Sequence, residues 1–179
     1  MGSLKEEIHV LDLVIPDQLI DRTKTRISTF FGGGLVGHIA FAEPFCPNLS
    51  RVLFDIAQET GIRAHQGGTY VAMEGPQFST RAESELYRSW GGDVIGMTVL
   101  PEAKLAREAE ICYSSLSFVT DYDCWRPHGA DKDKQTLLKE ITANLQTATN
   151  NCMELIKAVE HIPGQVKADL EPLLRKYMK

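Results

Sequence analysis

The sequence predicts an α/β protein with a mixed central β-sheet flanked by helices. Three observations carry that expectation. Apolar, β-rich runs alternate with amphipathic stretches, those stretches have legible helix starts and stops, and one long 3.6-period segment closes the chain. At 179 residues it is most simply one domain, 1–179, able to bury roughly 70% of the surface its unfolded form exposes.

Val10 to Ile20, VLDLVIPDQLI, is rich in β-branched and leucyl residues with Pro16 inside it, so it reads as an interrupted strand running into a polar loop at Asp21 and Arg22. The loop TFFGGGLVGH follows, its three consecutive glycines suiting either a mobile connection or a close backbone approach. Leu49, Val52, Leu53 and Ile56 then recur at helical spacing, with Asn48 as the expected cap and Gly61 as the stop. GTYVAMEG is a strand that Gly75 and Pro76 end. FSTRAESELYRSWGG is a helix, because Thr80 and Glu83 have the spacing of a capping box and Gly91 and Gly92 terminate it.

DVIGMTVL from Asp93 reads as the next strand, Pro101 at a first-turn position opens the helix PEAKLAREAE, and ICYSSLSFVT from Ile111 is a further strand. From Lys132 to Val159, Leu137, Leu138, Ile141, Leu145, Ala148, Cys152, Leu155, Ile156 and Val159 keep the helical period, which predicts one long amphipathic helix. Past Pro163 the tail could form a short amphipathic helix that Pro172 interrupts.

Composition narrows the function classes. The net charge of −5 is spread without a basic stripe, which argues against a nucleic-acid partner, and no run approaches the length of a membrane span. Cys46, Cys112, Cys124 and Cys152 are far apart with no CxxC pair, so free thiols are expected and a zinc site is not. The N-terminus MGSLKEEIHV has neither a secretory pattern nor, with Glu6, a myristoylation one, which makes the cytoplasm the default location, with the nucleus open as a second compartment. HExxH, P-loop, GxGxxG and GxSxG patterns are all missing, so no metal or dinucleotide cofactor is expected.

In alternating α/β chains ligands bind beyond the strand ends, and three of these carry unusual residues: EGPQFST, GMTVLPE and TDYDCW. Phe78 and Met97 offer an aromatic face and a soft contact suited to a flat heterocycle or a thioether, or else they are core. Ser79, Thr80 and Thr98 are hydroxyls placed to meet an anion; Thr80 is better used as a helix cap, which leaves Thr98 as the anion candidate. Asp121 and Asp123, two apart, share a face if the strand continues. They either grip an N–H-bearing edge such as a purine amine and support protonation of a ring nitrogen, or punctuate a turn.

The motifs GSLKEEI, IDRT, AEPFCP, EGPQFSTRAESELYRSWGGDVIGMT, PEAKLAREA, ICYSSL and TDYDCW occur in order from Gly2 to Trp125. Together they resemble the purine nucleoside phosphorylase family, and within it the phosphorylases of 5'-methylthioadenosine. That resemblance implies the nucleoside phosphorylase fold and a pentosyl transfer: inorganic phosphate as co-substrate cleaves 5'-methylthioadenosine to adenine and 5-methylthioribose 1-phosphate, as in purine and methionine salvage. It implies a homotrimer and no metal or organic cofactor. It implies roles as well. Asp121 is the partner of the base's N7 and amine edge, Asp123 the supporting acid and Tyr122 part of the same segment; Met97 lies under the ribose, Thr98 on phosphate, and Phe78 and Ser79 line the base pocket. His38 reaches a neighbouring subunit's site near the methylthio group. An aspartate at Asp121 fits an amine, whereas relatives acting on 6-oxopurines carry Asn there.

Family members also carry an N-terminal portion with a glycine-rich phosphate loop, an Arg-His pair and a Thr-Ala pair ahead of Gly-Ser-Leu. The expectation is therefore a chain equivalent to the C-terminal portion of the fold, with the loop around Gly32–Gly34 shorter than the family pattern. The alternative is a non-catalytic homologue that keeps the purine-binding and subunit-association surfaces; a nucleosidase using water is a third reading.

Overall fold

In the computed structural model, which describes residues 1–126 and 134–160, two mixed sheets carry the chain. The strands are β1 (Gly2–Ser3), β2 (Leu13–Ile15), β3 (Gln18–Arg22), β4 (Ala64–Gln66), β5 (Thr69–Met73), β6 (Val94–Gly96), β7 (Ser117–Phe118) and β8 (Asp121–Tyr122). The helices are α1 (Pro47–Glu59), α2 (Arg81–Ser89), α3 (Glu102–Glu108) and α4 (Lys134–Glu160). One sheet has the order β3-β5-β6-β1-β8 and the other β4-β2-β7. Three extended runs contribute to both sheets, β2 into β3, β4 into β5 and β7 into β8, changing sheet at Pro16–Asp17, Gly67–Gly68 and Val119–Thr120.

β3, β5 and β6 are mutually parallel, β1 is antiparallel to β6, and β8 is parallel to β1. Gly2 stands opposite both Ile95 and Asp121. The C-terminal ends of β3, β5 and β6 therefore lie at the same end of the sheet as the N-terminal ends of β1 and β8. Met97 and Thr98, which follow β6, and Asp121, the first residue of β8, lie at that end.

Helix starts follow the sequence in part. Thr80 caps α2 as a full capping box: its hydroxyl accepts from the Glu83 amide at 3.2 Å, and the Glu83 carboxylate accepts from the Thr80 amide at 2.8 Å. α1 starts two residues earlier than expected. Cys46 is its N-cap and Pro47 takes the first turn, where a missing N–H costs nothing, so Asn48 lies inside the helix. Gly61, at φ +74°, ends α1 in the left-handed region. Pro101 is the N-cap of α3 rather than a first-turn residue.

Other expectations are corrected. Asp21 and Arg22 are in β3, not a loop, because the whole of β3 pairs with β5 and, as an edge strand, tolerates exposed polar residues. Of ICYSSLSFVT only Ser117 and Phe118 join a ladder, while Ile111–Leu116 is irregular. In α4, Ala148, Cys152, Leu155 and Val159 pack with Leu13, Ile15 and the Val52, Leu53, Ile56 face of α1. Leu138, Leu145 and Ile156 are exposed, so the buried stripe is narrower than the sequence period suggests. The start of that helix at Lys132 and the tail past Pro163 lie outside the described residues.

Gly96, the last residue of β6, is where backbone and core meet most tightly. A Cβ there would fall on the hydroxyl of the fully buried Tyr70 and on the Met1 sulfur. Gly96→Ala is expected to destabilise the fold by about 1–3 kcal/mol through overpacking, seen as a lower urea midpoint with an unchanged slope.

Candidate functional site

Asp121 and Asp123 owe their aim to β1. The amide of Asp123 donates to the Ser3 carbonyl at 3.2 Å, and the Trp125 indole N–H donates to the same carbonyl at 2.8 Å. Trp125 is buried with Leu4, Val71, Met73, Tyr87 and Ile95, and the Arg88 guanidinium lies 3.6 Å over its ring. From the other side, the Asn144 side chain of α4 donates to the Thr120 carbonyl at 2.8 Å. The acid-bearing segment is thus pinned to the sheet and to the closing helix.

Both acids are on one face, as their spacing predicts. A Cβ on Gly2 would come within 3.3 Å of Asp121 Oδ1 and 3.3 Å of Asp123 Cβ, so glycine there leaves room between the acids and the sheet. The Thr120 hydroxyl donates to Asp121 Oδ2 at 2.7 Å. Asp123 is buried, and its Oδ2 is without a hydrogen-bond partner among the described residues. A buried carboxylate oxygen left open is costly unless a donor arrives, and an exocyclic amine is such a donor.

Met97 and Tyr122 pack against the same cluster as Trp125, which brings the GMTVLPE and TDYDCW segments together. Ser79 joins them: its hydroxyl points to the Met73 sulfur at 3.8 Å and its carbonyl accepts from the Cys124 thiol at 3.2 Å. Thr98 is exposed, with its amide 3.5 Å from the Tyr70 hydroxyl. Phe78 stands clear of the cluster at 74% exposure, and His38 is exposed on the segment between β3 and α1. Structure therefore gathers Ser79, Met97, Asp121, Tyr122 and Asp123, places Thr98 beside them, and leaves Phe78 and His38 outside.

Sequence reasoning missed two residues that shape this end. Tyr70 takes the Thr98 amide on its hydroxyl, and its own ionisation is pushed up by burial. Arg26 has its side chain only 18% exposed and pairs with Glu74 at 3.1 Å. Neither stands out in a sequence, because a tyrosine in a strand and an arginine in a loop are both commonplace.

Neither of the two cavities described is lined by Asp121 or Asp123, and the smaller shares Arg26 with this end. One of about 110 Å³ is lined by Asp21, Thr23, Arg26 and Lys104; in it, burial pushes the Asp21 carboxyl up, but bonds from Lys104 and Thr23 outweigh this and hold it below its ordinary value. The other, about 450 Å³, lies between Pro44–Pro47 and Glu110–Tyr113 and is lined by Cys46 and Cys112. All four cysteines are free thiols. No group of three His, Cys, Asp or Glu comes within metal-binding reach among the described residues, and no helix among them is long and apolar enough to cross a membrane.

Two outcomes follow from this geometry. Asp123→Asn exchanges a buried carboxyl group, its Oδ2 without a partner among the described residues, for a neutral amide, so ligand-free thermal stability should hold or rise, by up to about 1 kcal/mol; a clear fall would show that the carboxyl group serves the fold. Burial, reinforced by the Cys46 thiol, pushes the Cys112 thiol up to about 11. Its alkylation by iodoacetamide at pH 8, mapped by peptide mass, should run about a hundredfold or more below that of free cysteine and accelerate toward pH 11.

The family model described as phosphorylase superfamily matches residues 1–160. The S-methyl-5'-thioadenosine phosphorylase of Koribacter versatilis (strain Ellin345) is 55% identical over 163 residues, covering 91% of this chain and 55% of that protein. Among solved structures, a methylthioadenosine phosphorylase from an antarctic soil metagenomic library superposes with a TM-score of 0.80 at 47% identity, over 90% of this chain and 56% of that one. A mutant of the adenosine/methylthioadenosine phosphorylase from Schistosoma mansoni, in complex with adenine, gives a TM-score of 0.82 at 28% identity over 99% of this chain and 65% of the other. The chain thus spans between half and two thirds of the length of each of these relatives. On the match across residues 1–160, with the fold it shares with these enzymes, the chain belongs to the phosphorylase superfamily.

Proposed function

We propose that this chain binds 5'-methylthioadenosine and takes part in its phosphorolysis to adenine and 5-methylthioribose 1-phosphate. The observation that carries the reading is the pair Asp121 and Asp123 on one face at the end of the sheet, with Asp123 Oδ2 buried and open to a donor. The relatives named above support it: one is a methylthioadenosine phosphorylase at 55% identity, and another was solved with adenine.

In the reaction a phosphate oxygen bonds to C1' of the ribose as the bond from C1' to N9 of adenine breaks. Positive charge develops on the sugar and negative charge on the leaving base. Asp121, with Thr120 donating to its far oxygen, faces N7 and carries the proton that neutralises the leaving adenine; Asp123 accepts from the exocyclic amine. Met97 packs beneath the ribose, and Tyr122 and Ser79 border the base. Thr98, at the mouth beside Met97, meets the phosphate. No metal or organic cofactor enters, and phosphate is the co-substrate.

Phe78 and His38 act from their exposed positions, Phe78 over the base and His38 toward the methylthio group of a neighbouring subunit's site. The working unit is a cytoplasmic homotrimer. Light scattering of the purified chain tests that stoichiometry: a trimer mass is expected, and a monomer at micromolar concentration would remove His38's role.

The direct test of the reaction is release of adenine from methylthioadenosine by the purified chain with and without phosphate. Phosphate-dependent release is expected. Release without phosphate would assign a nucleosidase, and binding without release would assign a purine-binding homologue. In an active form, Asp121→Asn should lower turnover about a hundredfold or more, since a positioned proton donor is lost; near-normal turnover would remove Asp121 from the chemistry.

A further inference from the structure

The guanidinium of Arg26 is closed on five acceptors, one for each of its N–H bonds. Nη1 donates to the carbonyls of Met97 and Leu100, Nη2 to those of Met73 at 3.1 Å and Glu74 at 3.0 Å, and Nε to Glu74 Oε1 at 3.1 Å. The Glu74 carboxylate is itself held on the loop that presents Arg26, accepting from the amides of Lys24 and Thr25. These carbonyls belong to two different strand ends, Met73 and Glu74 to the end of β5 and Met97 and Leu100 to the turn between β6 and α3.

We propose that Arg26 is a positioning residue for the sugar and phosphate half of the site, fixing Met97 and Thr98 through the backbone of the turn that carries them. This rests on the functional reading above, which gives Met97 and Thr98 to the ribose and the phosphate. The turn has two supports. Its carbonyls at Met97 and Leu100 go to Arg26, and its amide at Thr98 goes to the Tyr70 hydroxyl. Tyr70 is a buried residue of β5 and is fixed by packing, whereas Arg26 reaches in from the loop after β3. Only the planar five-donor fork of arginine meets all five acceptors, so lysine, with three donors on one nitrogen, leaves at least two of them open, at least one a carbonyl.

The base half has other supports. Asp121 and Asp123 are set by β1, Trp125 and Asn144, none of which has a hydrogen bond to Arg26 among the described residues; the link is Met73, whose carbonyl accepts from Arg26 and whose side chain packs with Trp125. Loss of Arg26 should therefore separate the two halves of the ligand. In Arg26→Ala, and to a smaller extent in Arg26→Lys, the Kd for methylthioadenosine in the presence of phosphate should rise about tenfold or more while the Kd for adenine stays within about twofold. Equal weakening of both ligands, or none, would overturn the proposal, because a merely structural role moves both together.

If the parent chain binds neither ligand, the functional reading fails, and amide exchange of the ligand-free chain then decides the clamp on its own. Faster exchange at Thr98 in Arg26→Lys, with β5 amides unchanged, supports it. Unchanged exchange at Thr98 overturns it.

Discussion

Pairing of Gly2 and Ser3 on both backbone edges is the constraint on which the site end of this molecule depends. β1 is only two residues long, yet it joins β6 to β8, and β8 has no other neighbour in its sheet among the described residues. The Ser3 carbonyl receives both the Asp123 amide and the Trp125 indole, so the turn after β8 is fixed from the same two residues. Gly2 adds a steric condition, since any side chain there would press on Ile95 at 3.0 Å and on both acids. A short strand with no sequence signature therefore sets the direction of the carboxylates on which the proposed function rests.

Around that strand the site, on the function proposed, divides into a base half and a sugar half whose supports meet at Met73, which packs with Trp125 and gives its carbonyl to Arg26. The base half is held by β1, by the Trp125 cluster and by Asn144 of α4. The sugar half is held by Tyr70 from the core and by Arg26 from the loop after β3. Between them lie Met97 and Tyr122, packed on one apolar cluster. Among the described residues, the buried side-chain oxygens left without a partner are Ser84 Oγ, on α2, and Asp123 Oδ2, the only one of the two that belongs to a carboxylate. A buried carboxylate oxygen left open among the described residues calls for a donor from outside the chain, water or ligand.

Much of the architecture was legible in the sequence because local chemistry decides it. The Thr80 and Glu83 box fixes the start of α2, Gly61 the end of α1, and the β-rich run before Gly75 gives β5. The shared face of Asp121 and Asp123 follows from the two-residue period alone. What could not be read is what long-range pairing decides. β1 and β4 are too short to show a period, and β3 is a strand only because β5 lies beside it. The division into two sheets at Pro16 and Gly67–Gly68 has no local counterpart, and the stripe on α4 is trimmed by the extent of α1 beneath it. Arg26 is invisible for the same reason: its five acceptors come from two segments about fifty and seventy residues away.

The central claim is that two carboxylates at the end of the sheet select a purine by its amine edge. The most direct measurement is the affinity of the chain for adenine against hypoxanthine, which differ in presenting an amine or a carbonyl at that edge. The account predicts adenine binding at least about tenfold tighter, since the open Asp123 oxygen accepts from an amine and repels a carbonyl oxygen. Equal affinities, or a preference for hypoxanthine, would contradict it.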